Sequence, residues 1–557
     1  MKRSLLTLLF FSLFAFSALA QAPSWAKKAT KAVFTLKTFA PNGDLLSSAN
    51  GFFVGQQGEA VAPYAPFRGA SRAVVIDADG KEWAVECMLG ANETYDVAKF
   101  RVNSKKTISL AHAATQPVGT TAWLLPYREV KQMPKGIVRK VETFHTQYPY
   151  YTLSMQMPES AYGSPLLSQQ GEVIGIMQRS TSASDTLSYA VSARYADSLS
   201  ISGLSINDPV LRAVHIKKAL PADLAQAQLT LYLATSSLDS ASYAQLVGDF
   251  IEQFPTAPDG YQYRAQLYFS GNDFDNADKC MRQAIDVAAQ KDEAHYGLAR
   301  MIYQKMLLKP TIAYDPWTLD LALQEAEEAY RINPQPIYQQ QQAQVLFAQQ
   351  QYDRACELFL GLTTTSLRSP DLFYEASRCK EMQADTTAQL ALLDSAVAMF
   401  SRPYLREAAP YLLTRAQARL NAGKYRDATF DLNEYETLMR SQQLTANFYY
   451  LRYQAEVGGR LFQQALNDID RAIELNDANE FYLAEKASLQ IRVGLVDEAM
   501  VTAQQLIDKA PSQSDGYLFL GLAQCLADKK SDGLKNLEKA RDMGDTQAQM
   551  LIDKYAK

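Results

Sequence analysis

Ser160-Ala161-Tyr162-Gly163-Ser164-Pro165-Leu166-Leu167, followed closely by Gly171-Glu172-Val173-Ile174-Gly175-Ile176, is the stretch from which the fold is read. A short apolar run, a polar turn and a second apolar run describe two short strands joined tightly. Outward from there, residues 32–39 alternate as a half-buried strand, and Pro41-Asn42-Gly43-Asp44 supplies a turn. Gly51-Phe52-Phe53-Val54 and Glu59-Ala60-Val61-Ala62, split by Gln56-Gln57-Gly58, read as a hairpin. Further strands are expected at 73–76, 82–88, 97–102, 121–125, 137–142, 151–155, 173–177 and 188–191. Many short strands with turn signals and almost no helical period predict an all-β barrel or sandwich up to about Ser205.

The order of landmarks resembles the trypsin-like domain of the bacterial Deg (high-temperature-requirement) serine proteases. That family reads G-N-S-G-G-P-L, a turn, then G-x-V-I-G-I, and here Pro165-Leu166-Leu167 and Gly171–Ile176 keep the pattern. Gly51-Phe52-Phe53-Val54 with Gly58 is similar to the family's G-F-I-I…D-G hairpin. Asp79-Gly80-Lys81, Tyr95-Asp96-Val97-Ala98 and Gly136-Ile137-Val138 resemble its later landmarks. The resemblance implies a double β-barrel with a catalytic triad. Aligned on Pro165, the serine position holds Tyr162 and the flanking glycines are Ser160 and Ser164. The histidine position falls on Ala65, and only Asp96 matches the triad aspartate. A one-residue gap puts Ala161 at the serine position instead.

Serine is a poor nucleophile without a base to take its proton. The chain has four histidines, His112, His145, His215 and His295, and none lies in the hairpin where the base belongs. Ala65 accepts no proton, and Ser160 replaces the glycine that leads the oxyanion turn. The expectation is therefore a degenerate triad, Ala65, Asp96 and Tyr162, with Asp96 kept as a hydrogen-bond acceptor. The rival arrangement makes Ser160 or Ser164 a displaced nucleophile with His145 as its base.

After Ser205-Ile206-Asn207-Asp208-Pro209 the composition shifts to Ala, Gln, Leu, Glu and Tyr and becomes self-similar. Small residues twelve apart recur as Ala265/Ala277, Ala343/Ala355, Ala376/Ala388, Ala416/Ala428, Ala487/Ala499 and Gly521/Gly533. That spacing is similar to tetratricopeptide (TPR) repeats, whose paired helices cross at two small residues. Stepping along Ala277, Ala322, Ala355, Ala388, Ala428, Ala465, Ala499 and Gly533 gives roughly eight units of about 34 residues. The second unit carries an insertion at 306–318. Such units stack into an all-α solenoid with a concave groove for a protein or peptide.

The expected domain order is a signal peptide (1–20), the trypsin-like domain (21–205), and a linker with a divergent helical pair (206–257). About eight repeats (258–545) and a capping helix (546–557) follow. Lys2 and Arg3, an apolar run from Leu5 to Phe16 and Ala18-Leu19-Ala20 form the secretory pattern, implying a periplasmic or secreted protein. No later stretch is long and apolar enough for a bilayer. A net charge of −5 with both signs dispersed gives no footprint for nucleic acid. Five scattered cysteines suit buried apolar positions better than a disulfide framework. Neither metal nor cofactor is expected. The function read from these features is a non-catalytic protein- or peptide-binding scaffold. The alternatives are a serine endopeptidase that recruits substrates through its repeats, and a periplasmic chaperone or envelope assembly factor.

Overall fold

Alternation along the N-terminal strands becomes two closed barrels. The computed structural model describes residues 19–104, 106–128, 132–145, 147–179 and 186–556. Among the described residues thirteen strands follow in chain order: β1 (Leu19–Gln21), β2 (Val33–Phe39), β3 (Leu45–Phe53), β4 (Glu59–Ala62), β5 (Arg72–Ile76), β6 (Glu82–Asn92), β7 (Val97–Val102), β8 (Thr121–Leu124), β9 (Gln132–Phe144), β10 (Tyr148–Leu153), β11 (Pro165–Leu167), β12 (Val173–Met177) and β13 (Ser188–Ser192). The first barrel closes in the order β2-β3-β4-β7-β6-β5. The second runs β9-β10-β13-β12-β11-β8 and closes through β8–β9, with β1 added to β9. The signal-peptide reading falls largely on residues 1–18, which lie outside the described residues. Leu19–Gln21, at its cleavage site, pairs with Gln132–Pro134.

The period of two explains where each core sits. In β2, Phe34 and Leu36 point into the first barrel, while Val33 faces the layer shared with the second. That layer also takes Phe52, Val61, Leu167, Val173 and Ile176. The segment after Asp208 is not free chain. Leu211, Val214 and Ile216 complete the first barrel's core, and Met88 N–H and Ala219 N–H form hydrogen bonds with Lys217 and Met88 carbonyls.

By its contacts the chain divides into two compact units, residues 1–287 and 288–557. The first contains both barrels and the helices Leu224–Ser237, Ser240–Gln253, Pro258–Ser270 and Phe274–Val287. The second is all helix, from Asp292–Leu308 to Ala548–Tyr555. Among the described residues no helix is long and apolar enough to cross a membrane.

Seven helical hairpins share one internal ruler. Their first helices start at Pro258, Pro336, Pro370, Ala409, Ala446, Glu480 and Ser514. Fourteen residues on, each has a left-handed residue: Asn272, Gln350, Ala384, Gly423, Arg460, Gly494 and Asp528. The next N–H bonds back to a carbonyl five residues earlier, as in Asp273 to Tyr268 and Lys424 to Arg419, which ends the helix without orphaned carbonyls. The small-residue sites follow this ruler with one correction. Ala388 is only half-buried, and the third crossing falls one residue later, at Ser377 and Gln389, both buried. At the Gly521/Gly533 crossing a methyl group on either glycine would come within 2.8 Å of the other's carbonyl oxygen.

A polar ladder, buried at its two arginines and half-buried at its lysine, fixes the register of three successive stacks in the second unit. Arg415 makes a two-pronged pair with Asp431 at 2.7 and 2.9 Å inside its hairpin and reaches Asp394 of the preceding one at 2.9 Å. Arg452, at the equivalent position, grips Asp468 at 2.6 and 2.8 Å and reaches Asn433 at 2.9 Å and Glu436 at 2.6 Å. Lys486, next in the series, pairs with Asp470 at 2.6 Å. All five cysteines are buried thiols.

Because Asp431 is fully buried, Asp431→Asn would leave Arg415 without its main counter-charge. We expect a loss of about 3–5 kcal/mol in urea unfolding of the second unit, only partly recovered by Arg415→Met/Asp431→Leu, because Arg419 also pairs with Asp431 and would keep Asp394 alone. A second prediction comes from Glu456, which with Glu436 and Asp468 crowds the single guanidinium of Arg452. Burial first, then the Asp468 charge, raise the Glu456 carboxyl from 4.5 to about 8. A raised folded value means stability is fully present below 4.5 and is lost as pH rises through about 8. Thermal melts across that range should show this decline, and Glu456→Gln should flatten it.

Candidate functional site

The three positions expected to form the degenerate triad do meet, at the junction of the barrels. Ala65 begins a 3-10 turn, Ala65–Phe67, just after β4. Asp96 occupies the turn before β7 in a left-handed conformation, φ +50°. Tyr162 follows the 3-10 turn Glu159–Ala161 and precedes β11. The Tyr162 hydroxyl donates to Asp96 Oδ2 at 2.5 Å, and the Ala65 N–H donates to Asp96 Oδ1 at 2.7 Å. Asp96 therefore holds the other two positions with its two oxygens. No imidazole stands between the carboxylate and residue 162, because the phenol itself closes that space.

This environment removes nucleophilic character from Tyr162. Its side chain is buried, and burial first, then the Asp96 charge and hydrogen bond, push the phenol far above its ordinary value. The Arg179 guanidinium lies over the ring at 4.7 Å, which opposes the shift without cancelling it. At neutral pH the group is a hydrogen-bond donor committed to Asp96.

The residue that holds the loop is one the sequence reading missed. Asn50, buried in β3, staples the loop to the first barrel. Its N–H donates to the Tyr162 carbonyl at 2.8 Å, and its amide Nδ2 donates to the Ser160 carbonyl at 2.6 Å and to Ser164 Oγ at 3.0 Å. Gly163 adopts φ +82°, and a Cβ there would lie 2.2 Å from the Asn50 carbonyl oxygen and 2.6 Å from Pro63. Only glycine fits this approach. Asn50 sits directly before Gly51 in the hairpin motif, and a carboxamide at the head of the apolar Gly51-Phe52-Phe53-Val54 run is the available signal.

The backbone donors of the loop are turned inward. Tyr162 N–H bonds to the Glu159 carbonyl at 3.3 Å and Gly163 N–H to the Met177 carbonyl at 2.9 Å. Neither is aimed at a place where a substrate oxyanion would form. Of the two serines offered as displaced nucleophiles, Ser164 is fully buried with its hydroxyl on Asn50, and Ser160 is exposed. His145, their candidate base, has φ +45° and stacks on Tyr195 at 6.0 Å with Tyr95 at its edge at 5.5 Å. His112 bonds through Nδ1 to Asp197 at 2.9 Å. The alternative register is no richer: Ala161 is a buried methyl in the second barrel's core. Among the described residues no group of three or more His, Cys, Asp or Glu side chains is placed to hold a metal ion.

Residues 49–176 match the trypsin-like peptidase domain family. No curated protein matches the chain. Solved structures similar to it include the HtrA-type protease AlgW with a tripeptide, at 19% identity and a TM-score of 0.28, covering 32% of this chain and 62% of that one. A variant of AlgW, also with a tripeptide, is 19% identical with a TM-score of 0.27, covering 31% of this chain and 60% of that one. The chain thus spans about six tenths of the length of these proteins. The architecture is a double β-barrel, of which residues 49–176 match the trypsin-like peptidase domain family, followed by a helical region that fits a repeat array.

Tyr162→Phe deletes only the hydroxyl that bonds to Asp96. Urea unfolding should show a loss of about 1.5–3 kcal/mol, the range for a hydrogen bond to a charged partner. A variant as stable as the parent would mean that this bond does not hold the loop.

Proposed function

We propose that the chain is a non-catalytic, exported protein that binds a protein or peptide partner, pairing an inactive trypsin-like domain with a TPR interaction module. The observation that carries this reading is the direct Tyr162–Asp96 hydrogen bond, which occupies the place a general base would need. The inward Tyr162 and Gly163 N–H groups and the alanine at position 65 support it. The common ruler of seven hairpins supports the TPR assignment. The secretory pattern of the first twenty residues, with no helix suited to span a bilayer among the described residues, supports a periplasmic or secreted location.

A serine endopeptidase built on the same domain is the competing reading, and it needs a serine hydroxyl activated by a base. Incubation of the purified chain with a fluorophosphonate probe and with denatured casein separates the two. We expect neither labelling nor cleavage. Labelling at Ser160 or Ser164, accompanied by casein turnover, would establish the peptidase.

A further inference from the structure

The turns joining the paired helices in hairpins 409–438 and 446–475 together form a surface depression of about 490 Å³. Gly423, Lys424, Tyr425, Arg426 and Asp427 line it from one turn, and Gly458, Gly459 and Arg460 from the next. Three cations face a single carboxylate. None of the three cations forms an ion pair among the described residues, although Arg415, Arg419, Arg452 and Arg471 of the same hairpins are all paired. Lys424 and Arg460 are exposed, and Arg426 is anchored by its Nε to the Gly459 carbonyl at 3.1 Å, joining the two turns.

The charge is local to this place. At the position of Lys424, two other hairpins carry Asp273 and Asp385, and at that of Arg426 three others carry Asp275, Asp353 and Asp497. Only Lys529 repeats a cation at either position. Elsewhere these acids complement the start of the second helix, and Asp385 caps it directly. Replacing them by cations gives up that complementarity, so the local sequence preference is set aside where two such turns adjoin. The depression also has an apolar wall. Tyr425 is 38% exposed, and its ring lies against Gly458, where a Cβ would come within 2.5 Å.

We infer that this depression docks an acidic peptide segment, with two or more Asp or Glu side chains reaching Lys424, Arg426 and Arg460. The inference rests on the reading of the helical region as a partner-binding module and names the chemistry of one partner. Charge complementarity selects carboxylates, the open shape admits an extended chain, and the tyrosine face accommodates an aliphatic stem beside them. The interaction weakens with salt because the cations are exposed.

The test uses the full chain and fluorescein-labelled peptides of alternating Glu and Ala, with Gln-Ala peptides as the neutral control, followed by anisotropy. Lys424→Gln/Arg460→Gln removes two exposed cations without touching the Arg426–Gly459 link, and an unchanged melting curve confirms its fold. The acidic peptide should bind the parent and bind the double variant about tenfold more weakly, while the neutral peptide distinguishes neither. Equal binding to parent and variant overturns the site. Displacement by inorganic phosphate as effective as by unlabelled peptide also overturns it, in favour of a small-anion site. An immobilised array of peptides of mixed composition separates this failure from that of the broader reading. Peptides captured without acidic preference leave the module reading standing and sink the basic site, and no capture at all sinks both.

Discussion

One carboxylate organises the junction between the barrels. Asp96 sits in a left-handed turn and spends one oxygen on the Ala65 N–H and the other on the Tyr162 hydroxyl. Both bonds tie loops of the two barrels to one side chain. Asp96 is half-buried between the barrels, and its two hydrogen bonds replace the water it gives up there. A phenol supplies such a bond as well as an imidazole does. It cannot carry a proton away from a neighbouring alcohol, since its own proton is already committed and burial holds it there. In the proposed non-catalytic reading, the phenol that satisfies Asp96 stands where a base would be needed.

The loop around Tyr162 is correspondingly closed upon itself. Asn50 ties its carbonyls and Ser164 to the first barrel, and Glu159 and Met177 take up two of its N–H groups. The helical region follows another logic. There, a repeated left-handed turn sets the hairpin, close crossings at small residues set the distance between helices, and a ladder of two buried arginines and a half-buried lysine sets how successive hairpins of the second unit stack. Each buried guanidinium is matched both within its hairpin and on the preceding one, so a slip of one residue would strand a charge.

Much of this is legible in the sequence. Alternation located most strands because barrel strands bury one face and share the other. It placed β3 too late, at Gly51 instead of Leu45, because residues 45–48 are largely exposed and carry no apolar stripe. The crossing at Ser377/Gln389 was read one residue early because alanines happen to lie at 376 and 388, twelve apart, and composition cannot distinguish one register from its neighbour. The packing of Leu211, Val214 and Ile216 into the first barrel was hidden for a different reason: a proline-marked shift in composition signals the end of a pattern, not where the next residues dock. The meeting of Ala65, Asp96 and Tyr162 was anticipated from the resemblance, whereas the bond between Tyr162 and Asp96 and the stapling by Asn50 are long-range facts that no local pattern encodes.

The junction depends on the Tyr162 proton being held by Asp96. Labelling tyrosine ring carbons with 13C at Cζ, with the Tyr162→Phe chain to assign the signal, lets its ionisation be followed by NMR. We predict that the Tyr162 resonance keeps its neutral position at about pH 11, a unit above the ordinary tyrosine value. Ionisation of that resonance near pH 10, in step with the exposed tyrosines, would contradict the account.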